Sequence, residues 1–289
     1  MEKQVHFIRI NQADCIRCRR CVRICTAKVF DFSSAEGAVR VVQPESCIEC
    51  GHCVDICPKN AVLHSFFPQE ALHSYDIHDF PEPDRLMLLM KARRSNRAFS
   101  DKVLPEDYVD KIKEAALCAP TAQNSRNVRV LVVSDPEKIK AVTAFSLETF
   151  TRAMRILENP LIKFFLHKKM RQVYAMIPKF KKMNEAFYQQ GDDPVLHHAK
   201  ALMFFLAPAN SRFGLADCNL AYQNASLMAE SLGVAHFYTG FVISALQQDR
   251  KQRLYRLLGI EKMRIYAGMT LAMPEFRFER YADRMPQTR

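Results

Sequence analysis

Apolar positions in the opening third of the chain come in short clusters. Val5 to Ile10 and Val39 to Val42 have the β-branched, few-residue character of short strands, and each cysteine-bearing segment between and after them leads into a short helix. Residues 64–84 contain Pro68, Pro81 and Pro83 with little periodicity, which predicts a linker. Beyond it the spacing lengthens. Helices are predicted over Leu86 to Ala92, Pro105 to Leu117 and Ala216 to Leu232, the last closed by Gly233 as its C-cap. Val128 to Val133 predicts a buried strand and Met263 to Met273 a late one. Ala201 to Ala209, with Phe204 and Phe205, is apolar but too short to span a membrane. A basic, apolar stretch runs from Phe145 to Gln190 and includes Phe164, Phe165, His167, Lys168, Lys169, Phe180, Lys181 and Lys182. It admits three readings: two surface helices, a lid over a substrate site, or a membrane-surface helix.

The bulk numbers fit this division. A chain of 289 residues, 48% hydrophobic, can bury one sizeable core and add a small domain. Residues 1–63 form the small domain, 64–84 the linker and 85–289 the large domain. Met1 to Ile10 lacks the apolar core of a signal peptide, so a reducing cytoplasm is the expected location. The formal charge is +11. No helix-turn-helix, RNA-recognition or zinc-finger pattern accompanies it, which excludes nucleic acid as the expected partner.

Ten cysteines are present, and eight fall into two runs of one pattern. They are Cys15-x2-Cys18-x2-Cys21-x3-Cys25 and Cys47-x2-Cys50-x2-Cys53-x3-Cys57, the second followed by Pro58 and the first by Thr26. Zinc takes four ligands in two pairs, and a disulfide framework needs an oxidising compartment. Soft thiolates at this doubled spacing instead match the bacterial two-cluster ferredoxin pattern, in which the fourth cysteine of each run ligates the other cluster. Two 4Fe–4S clusters are therefore expected. The first takes Cys15, Cys18, Cys21 and Cys57, and the second takes Cys47, Cys50, Cys53 and Cys25. Arg17, Arg19, Arg20 and Arg23 decorate the first run, and Glu45, Glu49 and Asp55 the second. Positive charge stabilises the more negative reduced state, so the first cluster is expected at the higher potential, with its arginines docking an acidic ferredoxin or flavodoxin.

Three segments of the large domain bear on the rest. They are Arg93-Arg94-Ser95-Asn96-Arg97-Ala98-Phe99, Ala119-Pro120-Thr121-Ala122-Gln123-Asn124-Ser125, and the helix from Asp217 into Gly233-Val234-Ala235-His236-Phe237-Tyr238-Thr239-Gly240. In this order they resemble the nitroreductase family of FMN enzymes, and the whole chain resembles a ferredoxin–nitroreductase fusion. The resemblance implies an α+β sandwich, a mainly antiparallel sheet with surrounding helices, and a homodimer. It implies that Arg93 and Ser95, with neighbouring Arg94, meet the FMN phosphate and ribityl chain. Arg97 would approach N1 and O2, Asn124 would bond the flavin, and the Thr239 N–H, between Tyr238 and Gly240, would face N5. Arg280 and Arg284 would supply a second phosphate contact, with Arg277 as a substitute. Guanidinium forks and hydroxyls suit a phosphate, and a cation near N1 suits a ring that turns anionic on reduction. Where the family often has Asn-x-Gln-Pro, this chain has Asn124-Ser125-Arg126-Asn127. Each cluster with its thiolates contributes about −2 and the FMN phosphate about −2, which leaves the assembly basic.

Cys118 and Cys218 read as small buried residues, and the adjacent His197 and His198 as structural. No G-x-G-x-x-G follows a strand, although NAD(P)H is not thereby excluded. The expected activity is an iron–sulfur flavoprotein oxidoreductase acting on a small nitroaromatic, quinone or activated alkene. The alternatives are an electron-transfer or redox-sensing protein serving a protein partner, and a reductive dehalogenase or flavin-cleaving activity on the same scaffold.

Overall fold

A computed structural model describes residues 7–283. The chain divides into two units, residues 1–81 with the turn 123–125, and residues 82–122 with 126–289.

The first unit contains β1 (Ile8–Ile10), α1 (Arg20–Ile24), β2 (Phe30–Ser33), β3 (Ala38–Val41), α2 (His52–Asp55) and β4 (Val62–His64). β1 pairs antiparallel with β4, and β2 with β3. Alternation turns Ile8 and Ile10 of β1, and Val62 and His64 of β4, inward. They meet Val29, Phe30, Val39 and Val54 in a small core that also holds Cys21 and Cys53. So few apolar side chains stabilise a unit of this size poorly, and liganded groups must add to it. The predicted strand at Val5 begins outside the described residues; its described part is β1. β2 went unpredicted because only two of its four residues, Phe30 and Phe32, are apolar. The predicted linker is partly built into this unit. His64 ends β4, Phe67 and Leu72 pack on the core, and two short 3-10 turns follow.

The second unit contains α3 (Pro83–Ala92), α4 (Glu106–Leu117), β5 (Arg129–Val133), α5 (Pro136–Leu157), α6 (Pro160–Leu166), α7 (Arg171–Gln190), β6 (Ala201–Pro208), α8 (Gly214–Ser231), β7 (Ala235–Tyr238), α9 (Gly240–Gln248), α10 (Arg253–Leu257) and β8 (Met263–Ala272). Its sheet is antiparallel throughout, in the order β5-β6-β8-β7. β6 is buried on both faces. Ala201, Met203, Phe205 and Ala207 join the core under α8 and α4, while Leu202, Phe204 and Leu206 join the core under α5, α9 and α10. The unit is thus an α+β sandwich, with helices on both faces of a mainly antiparallel sheet.

The basic stretch is three helices rather than two. α5 begins earlier, at Pro136, where the Asp135 carboxylate accepts the Glu137 and Lys138 N–H groups. It is no surface helix, since Ile139, Val142, Phe145 and Leu147 are buried in the core. α6 and α7 are held to it by a separate cluster of Met154, Tyr174 and Ile177 with Leu157, Leu166, Met170 and Phe180. Gly233 follows α8 at φ 71°, a left-handed conformation that favours glycine, and the Arg277 guanidinium lies against the space a Cβ would occupy.

Candidate functional site

The first unit sorts its eight thiols into two groups. Cys15, Cys18, Cys21 and Cys57 line one cavity, together with Ile10, Val39 and Val62. Cys25, Cys47, Cys50 and Cys53 line another, with Ile8, Phe30 and His64. Each group combines three cysteines of one run with the fourth cysteine of the other. The β1–β4 and β2–β3 pairings produce this exchange by folding the end of each run beside the start of the other.

Burial raises the Cys21 thiol pKa, with Cys57 and Cys15 adding repulsion. Burial, with repulsion from Cys47, Cys50 and Cys25, pushes Cys53 up to about 12. Buried thiols facing one another resist ionising together unless a cationic group sits among them. Donors to sulfur are already in place. Ala61 N–H lies 3.2 Å from Cys57 Sγ, Glu49 N–H 3.3 Å from Cys47 Sγ, and His64 Nε2 3.5 Å from Cys47 Sγ. Among the described residues no three His, Cys, Asp or Glu side chains converge on one metal ion. A cavity lined by four thiols and largely apolar neighbours suits a cluster.

In the second unit the segment after α3 lies along β7. Asn96 N–H donates to the His236 carbonyl at 3.1 Å, and the Arg97 guanidinium stands 4.9 Å over the Phe237 ring. This places Asn96 and Arg97 beside His236 and Phe237, shortly before β7 passes into α9. The tail closes the same region. Asn96 Nδ2 donates to the Phe276 carbonyl at 2.8 Å, and Arg94 Nη2 reaches the Ala282 carbonyl at 3.5 Å. Arg280 is exposed on that tail, and Arg284 lies outside the described residues. Glu230 sits among Arg93, Arg94 and Arg277; burial raises its pKa and the three arginines pull it back.

Residues 90–273 match the nitroreductase family. The chain belongs to the nitroreductase family. Residues 14–62 match the 4Fe-4S dicluster domain, so the enzyme is an oxidoreductase with a 4Fe–4S ferredoxin module. A relative from Methanothermobacter thermautotrophicus, named "Putative NADH dehydrogenase/NAD(P)H nitroreductase", is 38% identical over 174 residues, 59% of this chain and 67% of its own. One of the same name from Archaeoglobus fulgidus is 24% identical over 193 residues, 66% of this chain and 87% of its own. An FMN-bound nitroreductase from Bacteroides fragilis shares the fold at TM-score 0.53 and 18% identity, covering 70% of this chain and 96% of that one. An FMN-bound nitroreductase from Desulfitobacterium hafniense does so at 0.51 and 18%, covering 69% and 94%.

Several expected residues of the nitroreductase unit are otherwise engaged. Thr239 N–H donates to the Gly268 carbonyl at 2.9 Å, extending the β7–β8 pairing, so it does not face a ligand. The next N–H, that of Gly240, opens α9 and belongs to the first turn, whose donors have no partner within the helix. Arg94 Nη1 donates to the Lys91 carbonyl at 2.9 Å and the Arg93 carbonyl at 3.3 Å, which caps α3. Asn124 groups with the first unit, donating to the carbonyls of Ile48 at 3.2 Å and Glu49 at 2.7 Å.

Cys218 is buried and pushed up to about 12 by that burial. Cys118 is exposed, contrary to expectation, because it caps α4 on its solvent side. His197 and His198 both take positive φ in a turn where His198 Nε2 lies 3.0 Å from Asp192 Oδ1. Sequence reasoning missed His64, Asn96 and Glu230. His64 was legible as the inward partner of Val62, two residues on.

Proposed function

We propose that this nitroreductase takes electrons from a low-potential donor through two 4Fe–4S clusters to FMN, and delivers them to a small nitroaromatic, quinone or activated alkene. The observation that supports this most is the sorting of eight thiols into two separate quartets on the chain of a nitroreductase. Cys15, Cys18, Cys21 and Cys57 hold one cluster; Cys25, Cys47, Cys50 and Cys53 hold the other.

When bound, FMN supplies a carrier that accepts electrons singly and releases them in pairs. Arg93 and Ser95 bind its phosphate and ribityl end, and Arg280 adds a second cation from the tail. Arg97 would supply positive charge to the end of the flavin ring that gathers electron density on reduction. The Gly240 N–H would serve as the backbone donor expected of Thr239. Arg94 steadies the segment through its carbonyl contacts. No side chain is assigned acid–base work.

Arg17, Arg19, Arg20 and Arg23 are exposed, and Arg19, Arg20 and the exposed Cys18 line the first cavity. That surface suits an acidic ferredoxin or flavodoxin. NAD(P)H is a second donor worth testing, because the names of both relatives include it. The deciding experiment is anaerobic purification with iron, sulfide and flavin analysis, followed by stopped-flow reduction. About eight irons and one FMN per chain are expected, with the clusters bleaching before the flavin under a low-potential donor. Clusters that bleach while the flavin stays oxidised overturn the route. Flavin bleaching first under NADPH or NADH favours the second donor.

A further inference from the structure

His64 is a buried histidine at the end of β4, 4% exposed, with its ring on the second thiol quartet. Its two ring nitrogens are distinguished by their neighbours. Nδ1 lies 3.1 Å from the Phe66 N–H, which can only donate, so Nδ1 is the acceptor. The proton of the neutral ring is therefore on Nε2, and Nε2 points at Cys47 Sγ across 3.5 Å. An edge contact with the Phe67 ring, centroids 5.2 Å apart, helps fix the imidazole plane. The backbone thus holds one nitrogen so that the other presents its N–H to a sulfur. Among the described residues, no side-chain donor to a thiol of the first quartet corresponds to it.

We propose that His64 is a tuning residue, which donates a hydrogen bond to Cys47 and raises the reduction potential of the cluster held by Cys25, Cys47, Cys50 and Cys53. This rests on the two-cluster reading above. A hydrogen bond to a ligating sulfur withdraws charge, and it stabilises the reduced cluster more than the oxidised one because the reduced cluster is more negative. The arginines near the first quartet are exposed and screened by water, whereas the His64 bond is buried. The two sites are thereby brought closer in potential than their surface charges alone would set them, which favours electron exchange between them.

The test is potentiometric titration, followed by electron paramagnetic resonance, of the wild-type protein and of His64→Leu and His64→Gln. Leu fills the site without a donor, and Gln restores an N–H near the Nε2 position. His64→Leu is expected to shift the second cluster's reduction equilibrium about tenfold towards the oxidised form, which is 59 mV for one electron. The first cluster should not move, and His64→Gln should recover most of the shift. Equal shifts in both clusters, or none in either, overturn the proposal. Wild-type protein labelled with 15N-histidine gives a readout that needs no variant. The reduced second cluster should show one weakly coupled histidine nitrogen, and its absence also overturns the proposal. Iron analysis separates this failure from failure of the underlying reading: about four irons per wild-type chain sinks the two-cluster reading, whereas about eight irons with unmoved potentials sinks His64 alone.

Discussion

A histidine sealed inside the nitroreductase unit ties its stability to pH. His236 on β7 is fully buried, with Nδ1 3.1 Å from the Val234 carbonyl and Nε2 2.9 Å from Ser226 Oγ. The carbonyl only accepts, so Nδ1 carries the proton and Nε2 accepts from the serine. Both nitrogens are satisfied in the neutral ring, and burial lowers the pKa from 6.5 to about 4. The unfolded chain therefore binds a proton that the folded chain refuses between those values. Stability is full above pH 6.5 and falls as the pH drops towards about 4, by up to about 3 kcal/mol. His236→Asn should flatten the pH dependence of the urea midpoint across that window, whatever it costs at neutral pH; an unchanged slope contradicts the assignment. Residues such as Gly233 and the cysteines were legible because their chemistry is local. Ownership of the Thr239 N–H was not, because it depends on Gly268, which reaches it only through the β7–β8 pairing.

At the scale of elements, burial on two faces explains what sequence periodicity missed. β6 alternates between two cores, so both its odd and even positions are apolar and the period-2 signal disappears. β7 is four residues long, too short for any period to declare itself. α3, α4 and α8 were legible from their apolar spacing, whereas α5 and α7, although longer, ran together in one basic stretch. α6 and α7 show the opposite case, in which identical residue types have different consequences. Leu161, Phe164 and Phe165 stand 73, 82 and 75% exposed, while Tyr174 is buried and donates its hydroxyl to the Leu157 carbonyl at 2.8 Å. The double substitution Phe164→Ser with Phe165→Ser should leave the thermal midpoint nearly unmoved, within about 0.5 kcal/mol in stability. Tyr174→Phe should cost about 1 kcal/mol, and Tyr174→Ala more, by emptying the small cluster that pins both helices. Equal losses from the exposed pair and from Tyr174 would contradict this division of labour.

For the whole molecule, assembly and cluster loading are the measurable properties. α3 leaves Leu86, Met87, Leu88 and Met90 exposed, and the tail beside it leaves Phe276 and Phe278 exposed. Lys91 stands 5.8 Å over the Tyr281 ring, which joins helix and tail into one apolar surface. A surface of that kind supports the proposed homodimer. Sedimentation should give a mass near twice that of one chain, and a monomer would contradict it. Cys57→Ala should remove about half the iron and spare the flavin, and the cluster it removes should be the one beside Cys15, Cys18 and Cys21. Loss of the other signal, or of both with full retention of protein, would contradict the grouping. The two-unit plan was legible from the cysteine runs, whose spacing is unambiguous. The true limit of the first unit was not, because Phe67 and Leu72 join its core from a stretch without periodicity.

The interleaving of the two cysteine runs also governs how the protein is made. A ribosome that has released the chain only as far as Ile24 has delivered three thiols of the first quartet, and the missing one is still to be synthesised. Cys25 emerges next, but it waits for partners from the second run. The second quartet is complete only once Cys53 is translated and the first only with Cys57, so iron delivered earlier meets an incomplete cradle at both proposed sites. Maturation of this region is therefore a late event, and loss of a whole run, unlike loss of one cysteine, would strip ligands from both proposed sites.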